Sequence, residues 1–184
     1  MNHSFKKLKL LYHAMDQGYT RAANHYGFQC NGCEDNCCKS FFFHHTFIEK
    51  DYLLNQAKKL DQETKKKLKK NAGSYLHKTS LGTDDLKEKP LCPLNIEEKC
   101  ILYEQRPMIC RLHGIPHHLN IPGREFKTNP GCDAGNSFFN STDYFSFDRI
   151  PYYKEMVEIE KEYKEALGKN EKIKQTIAHM LLDL

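Results

Sequence analysis

Apolar residues first recur at helical spacing near the N-terminus. Phe5, Leu8, Leu11, Tyr12 and Met15 fall on one side of a helix running from Phe5 to about Gln17, and Gly18 is placed to end it. The aromatic run SFFFHHTF reads as a strand or a buried extended segment around residues 41–43. Thr46 and Glu49 then form a Thr-x-x-Glu capping box. It opens a helix from about Phe47 to Leu60, with Phe47, Tyr52, Leu53, Ala57 and Leu60 facing inward. Near the C-terminus, Tyr152, Met156, Ile159, Tyr163 and Leu167 repeat at steps of three and four, and Gly168 breaks the pattern. Asn170 can cap a second helix with the stripe Ile173, Ile177, Met180, Leu181 and Leu184. These two helices predict a C-terminal hairpin.

Between these segments the periodicity fails in two ways. Residues 58–70 hold seven lysines, read as a solvated helix face or loop because no aromatic or Gly-rich element interleaves with them. Residues 90–132 hold six of the seven prolines, which forbids a long helix there. Short helical turns are expected, as in IEEKCILYEQR, together with a small sheet within 112–128. Something other than backbone ladders must hold this region together, and ligation is the obvious candidate.

Composition narrows the class. The 184 residues suit one domain with helical extensions, and 39% hydrophobic against 28% charged residues is polar but not disordered. A net charge of +4 is too small to argue for nucleic acid. The N-terminus lacks the apolar core of a secretory signal, and no run approaches the ~20 apolar residues of a membrane span. The protein is therefore expected in the cytoplasm, where thiols stay reduced.

That expectation governs the reading of the cysteines. CNGCEDNCCKS carries Cys30, Cys33, Cys37 and Cys38, and Cys92, Cys100, Cys110 and Cys132 follow singly. A C-x2-C turn lets two thiolates reach one metal. If the chain is extended at Cys37 and Cys38, those side chains point to opposite faces and serve one ion poorly. Eight thiolates fill two closed tetrahedral zinc sites, whereas one four-iron cluster needs only four, and the sequence leaves both open. Burial as small apolar residues explains Cys100 or Cys132 alone, but not four cysteines among Asn, Gly, Glu and Asp. A redox pair at Cys30 and Cys33 lacks the βαβ surroundings it needs. His44, His45, His117 and His118 could replace a thiolate, and His113, three residues after Cys110, is the first candidate. Lys39, Lys99, Arg106 and Arg111 flank cysteines and could offset thiolate charge.

The combination resembles the CxxCxxCC, or YkgJ-type, cysteine-cluster family, whose members are described as zinc- or iron-chelating domains. Its second block reads C-P, a short gap, C-x-I/L-Y, then R-P-x-x-C-R. Those elements stand here as Cys92, Pro93, Cys100, Leu102, Tyr103, Arg106, Pro107, Cys110 and Arg111. Three residues, rather than the two in the family's name, separate Cys33 from Cys37, and Cys132 lies outside the motif. The resemblance also reaches a branch similar to flagellin lysine N-methylases, whose cysteines hold an iron–sulfur cluster. No glycine-rich nucleotide loop supports S-adenosylmethionine binding here.

The reading is a mainly α protein: an irregular, cysteine-rich, metal-centred domain over 1–150 with flanking helices, and a helical hairpin over 151–184 packed on it. All eight cysteines are candidate ligands for zinc or an iron–sulfur cluster, supported by Tyr103, Arg106, Arg111 and His113. The C-terminal helices could serve a protein partner or a homodimer. A metal-dependent redox or methyl-transfer enzyme and a zinc-stabilised RNA- or protein-interaction module are the alternatives.

Overall fold

The computed structural model describes residues 2–30, 36–80 and 89–184. The fold is mainly α, and its β-structure among the described residues is two small two-stranded sheets. Among the described residues no helix is long and apolar enough to cross a membrane. The chain forms two compact units: Met1–Cys37 with Met108–Gly168, and Cys38–Pro107 with Lys169–Leu184.

The first unit is built on α1 (Asn2–Tyr26) and α6 (Ile150–Leu167), which pack against each other. Leu8, Leu11, Tyr12 and Met15 are buried as the spacing predicts. Phe5 stacks on Tyr163 at 6.1 Å between ring centres. Helix α1 does not stop at Gly18; it continues through Ala22, Ala23 and Tyr26, all buried. The reason lies on α6 and the segment before it. A Cβ at Gly18 would stand 2.3 Å from the Tyr152 hydroxyl and 3.1 Å from the Phe147 ring. Glycine costs a helix interior about 1 kcal/mol relative to alanine, and here it admits a close approach. Gly168 does end α6, with φ 64° and its N–H on the carbonyls of Lys164 and Glu165.

The same unit holds α4 (Met108–Arg111), α5 (Asn136–Phe139) and one sheet. That sheet pairs β3 (His117–Leu119) antiparallel with β4 (Lys127–Asn129), His118 opposite Thr128. The small sheet expected in this stretch is therefore present.

The second unit centres on α2 (Phe47–Ala57), α3 (Gln62–Ser80) and α7 (Ile177–Leu181). Helix α2 stops at Ala57, short of Leu60. Thr46 stands at its N-cap, but its hydroxyl donates to the Glu49 carboxylate at 2.7 Å and takes no backbone N–H. The lysine run lies in the connection after α2 and along α3, and α3 buries Leu68, Ala72 and Tyr75 against α7. Residues 41–43 are not a strand. Phe41 packs edge-on to Phe43 and stacks on Tyr75, and pairing begins only at His44, opposite Gln175.

That bridge also shortens the last helix. His44 N–H donates to Gln175 O at 2.7 Å and Gln175 N–H returns to His44 O at 3.0 Å. The segment before Ile177 is therefore extended rather than helical, and Thr176 replaces Asn170 as the cap. Its hydroxyl accepts the His179 N–H, and the His179 ring closes the box.

In IEEKCILYEQR the expected helical turn forms at Tyr103–Gln105, while a second sheet takes the start of the stretch. Strand β1 (Asn95–Ile96) pairs with β2 (Lys99–Cys100), Asn95 opposite Cys100. The two-residue turn holds Glu97 at φ 52° and Glu98 at φ 63°. Positive φ at both central residues is the type I′ turn whose twist suits a tight hairpin.

His44 gives this unit a pH dependence. It is buried, and its pKa falls from 6.5 to about 4, through burial first and the neighbouring His45 second. The unfolded chain then binds a proton that the folded chain refuses. The stability is complete above pH 6.5 and lost as pH falls toward 4. Between pH 7 and pH 5 the loss is about 2 kcal/mol. Urea unfolding at both pH values should show this slope in the native chain and a flatter one in His44→Gln. Equal slopes would assign the loss elsewhere.

Candidate metal centre

The cysteines fall into both units, and each group can be built from its own surroundings. In the second unit, Cys92 opens a turn whose second residue is Pro93, the ring presetting φ for that position. The turn closes with Asn95 N–H on Cys92 O at 2.9 Å. The β1–β2 hairpin then returns the chain, so that Cys100 lies opposite Asn95 and Ile101 N–H reaches Leu94 O at 3.0 Å. Cys38 comes in from 54 positions earlier: Cys92 N–H donates to Cys38 O at 2.7 Å. Leu94 and Leu102, neighbours in sequence of Cys92 and Cys100, are buried.

Electrostatics links two of these thiols, Cys38 and Cys100. Burial pushes the Cys100 thiol up and Cys38 adds to the rise, while the Leu102 N–H and the Arg106 guanidinium pull it back. Tyr75 is pushed up to about 12 by burial and then by Cys92. Arg106 lies over the Tyr103 ring at 3.7 Å and donates to the Tyr103 carbonyl at 2.9 Å. Two residues read as supporting the thiolates are thus packed on each other, with the Arg106 charge felt by Cys100.

In the first unit, Cys110 sits on α4 and Cys132 in the turn before α5. Cys30 is exposed beyond the end of α1, Cys37 and Cys110 are half-buried, and Cys132 is buried. Cys33 lies outside the described residues. Cys132 N–H donates to Gly114 O at 3.0 Å, and both Gly114 and Gly131 take positive φ, 96° and 91°. Arg111 is buried, pairs with Asp16 at 2.5 Å and lies over the Tyr12 ring at 4.0 Å. It fastens α4 to α1. His113 occupies the turn after α4, half-buried. His117 and His118 belong to β3, where His118 meets the Tyr144 hydroxyl at 2.7 Å.

Sequence reasoning missed Asp16, Gly114 and Gly131. No local pattern joins Asp16 to a partner 95 positions away. The glycines did carry a signal, since GC and HG stand beside chemistry-bearing residues. Among the described residues, no three His, Cys, Asp or Glu side chains are gathered into a group able to hold a metal ion. The relations above are therefore pairwise: Cys38 with Cys92, Cys38 with Cys100, and Cys132 with the Gly114 loop.

No curated protein and no solved structure matches the chain. A family model, described as a "putative zinc- or iron-chelating domain", matches residues 29–131, more than half of the sequence. The match takes in seven of the eight cysteines and stops one residue before Cys132. The chain belongs to the CxxCxxCC family.

Proposed function

We propose that this is a cytoplasmic metal-binding protein whose thiolates hold zinc or an iron–sulfur cluster. Cys38, Cys92 and Cys100 would ligate in one unit, and Cys30, Cys33, Cys37, Cys110 and Cys132 in the other. The observation that carries this reading is the Cys92 N–H bond to the Cys38 carbonyl, with Cys38 also felt by the Cys100 thiol. The backbone of Cys92 is joined to that of Cys38, and the Cys38 thiol acts on Cys100. The donor chemistry fits, since thiolates suit both zinc and iron.

The bound metal would supply cross-links between segments that lack ladders of their own. The chain's residues do the rest. The Pro93 turn and the β1–β2 hairpin orient Cys92 and Cys100, Arg106 offsets thiolate charge, and Gly114 with Gly131 holds Cys132 in place. Metal binding by thiolates spread along the chain couples metal affinity to folding.

The test is metal analysis with an absorption spectrum on protein purified without air. Stoichiometric zinc in a colourless protein, or iron with a band near ~400 nm, supports the reading and names the metal. Adding a chelator should then expose amides of the 90–132 segment to hydrogen exchange. Protein carrying neither metal, with exchange unchanged by chelator, would overturn it.

A further inference from the structure

Cys38 and Cys92 lie 54 positions apart, yet one bond joins their backbones: Cys92 N–H donates to Cys38 O at 2.7 Å. That bond limits how far apart the two residues can stand. With standard bond lengths on either side of it, their Cα atoms are at most about 6.6 Å apart. A disulfide spans Cα atoms about 4.4–6.8 Å apart. The backbone spacing of this pair therefore already suits a bridge.

Neither residue belongs to a helix or strand. Cys38 stands in a turn, and Cys92 in the irregular segment just before Pro93. Their side chains are thus not directed by a helix face or a sheet pleat. Both are half-buried, so a small oxidant can reach them. The other cysteines are held differently. The backbone of Cys100 is paired with Asn95, that of Cys132 is bonded to Gly114, and Cys110 lies on α4 in the first unit. Cys37 adjoins Cys38, and adjacent Cα atoms, about 3.8 Å apart, fall short of the disulfide range.

We propose that Cys38 and Cys92 are a redox pair: a hydroperoxide converts them to a disulfide, and the disulfide withdraws both from metal. The second half rests on the reading of these two residues as ligands. One thiolate attacks the hydroperoxide, whose O–O bond breaks; a sulfenic acid forms and water or an alcohol leaves. The other thiolate attacks the sulfenic sulfur; the S–O bond breaks, water leaves and the S–S bond forms. Two thiols give up two electrons and two protons, which reduce one hydroperoxide. A small thiol reverses the step by exchange. Sulfur in a disulfide offers no thiolate, so the site loses two donors together. A bridge that forms and breaks is the kind a reducing compartment permits.

The full chain, purified without air, should be treated with one equivalent of hydrogen peroxide, blocked with alkylating agent and digested unreduced for mass spectrometry. The expected product links the Cys38 peptide to the Cys92 peptide with loss of two hydrogens, and dithiothreitol reverses it. Cys37→Ser should keep the link and Cys38→Ser should lose it, which separates the adjacent cysteines. Metal should leave in step with the link, read as zinc captured by a chromogenic chelator or as loss of the band near ~400 nm. No link, or a link from Cys92 to another cysteine, overturns the pair. A link that forms while metal stays bound overturns its control of the site. Protein that never carried metal removes the ligand reading and that control with it, and the link alone then decides the pair.

Discussion

Gly131→Ala is expected to destabilise the first unit by about 4 kcal/mol. The added methyl meets the Gly114 carbonyl oxygen at 2.7 Å, the Phe139 ring at 2.8 Å and Pro116 Cδ at 3.0 Å. Overpacking of this kind costs roughly 1–3 kcal/mol. The backbone adds to it: φ is 91° there, and a left-handed residue with a side chain costs about 1–2 kcal/mol. The carbonyl it would displace accepts the Cys132 N–H, so the shift passes directly to a candidate ligand. Chemical denaturation measures the loss. Gly123→Ala provides the control, since Gly123 has φ 74° but nothing within 4 Å. It should lose only the backbone share. Equal losses at both positions would mean that contact with the Gly114 carbonyl contributes nothing.

Asp16→Asn is expected to cost about 2 kcal/mol, below the range for a fully buried ion pair because the Asp16 side chain is 36% exposed and partly screened by solvent. The Arg111 side chain is 2% exposed and keeps its charge when the carboxylate is gone. The Tyr12 ring face remains beneath it but offers only a fraction of the lost attraction. Asp16→Leu combined with Arg111→Met should recover part of the loss, since an apolar pair leaves no charge behind. A double-mutant cycle on unfolding free energies separates these terms. If Asp16→Asn unfolds like the native chain, Arg111 is satisfied without Asp16. Helix α4 carries both Arg111 and Cys110, so on the proposed reading metal content should fall along with stability.

Where the sequence could be read, the determinant was local. The stripes of α1 and α6, the stop at Gly168 and the cysteine spacing all announce themselves within one or two turns of chain. Where it could not, a distant partner decided. Gly18 looks like a helix end until Tyr152 and Phe147 come against it. Asn170 looks like a cap until Gln175 pairs with His44 and commits the segment to an extended path. Lysines hide the Leu68–Ala72–Tyr75 stripe of α3, because charge rather than apolar spacing dominates that window. In IEEKCILYEQR the turn at Tyr103–Gln105 is helical as read, and only the local pairing of β1 with β2 at its start departs from it. Cysteine identity was legible throughout, while the neighbours that position each thiol were not. Asp16 and Arg149 matter through residues dozens of positions away, and Gly114 through Cys132, 18 positions on.

The Glu97–Glu98 turn has a mechanical consequence. Each glutamate in the left-handed region costs about 1–2 kcal/mol, so this hairpin tip stores backbone strain two positions from Cys100. The pairing of Asn95 with Cys100 therefore depends on both glutamates keeping left-handed angles, whereas Cys92 is held by its own N–H bond to the Cys38 carbonyl.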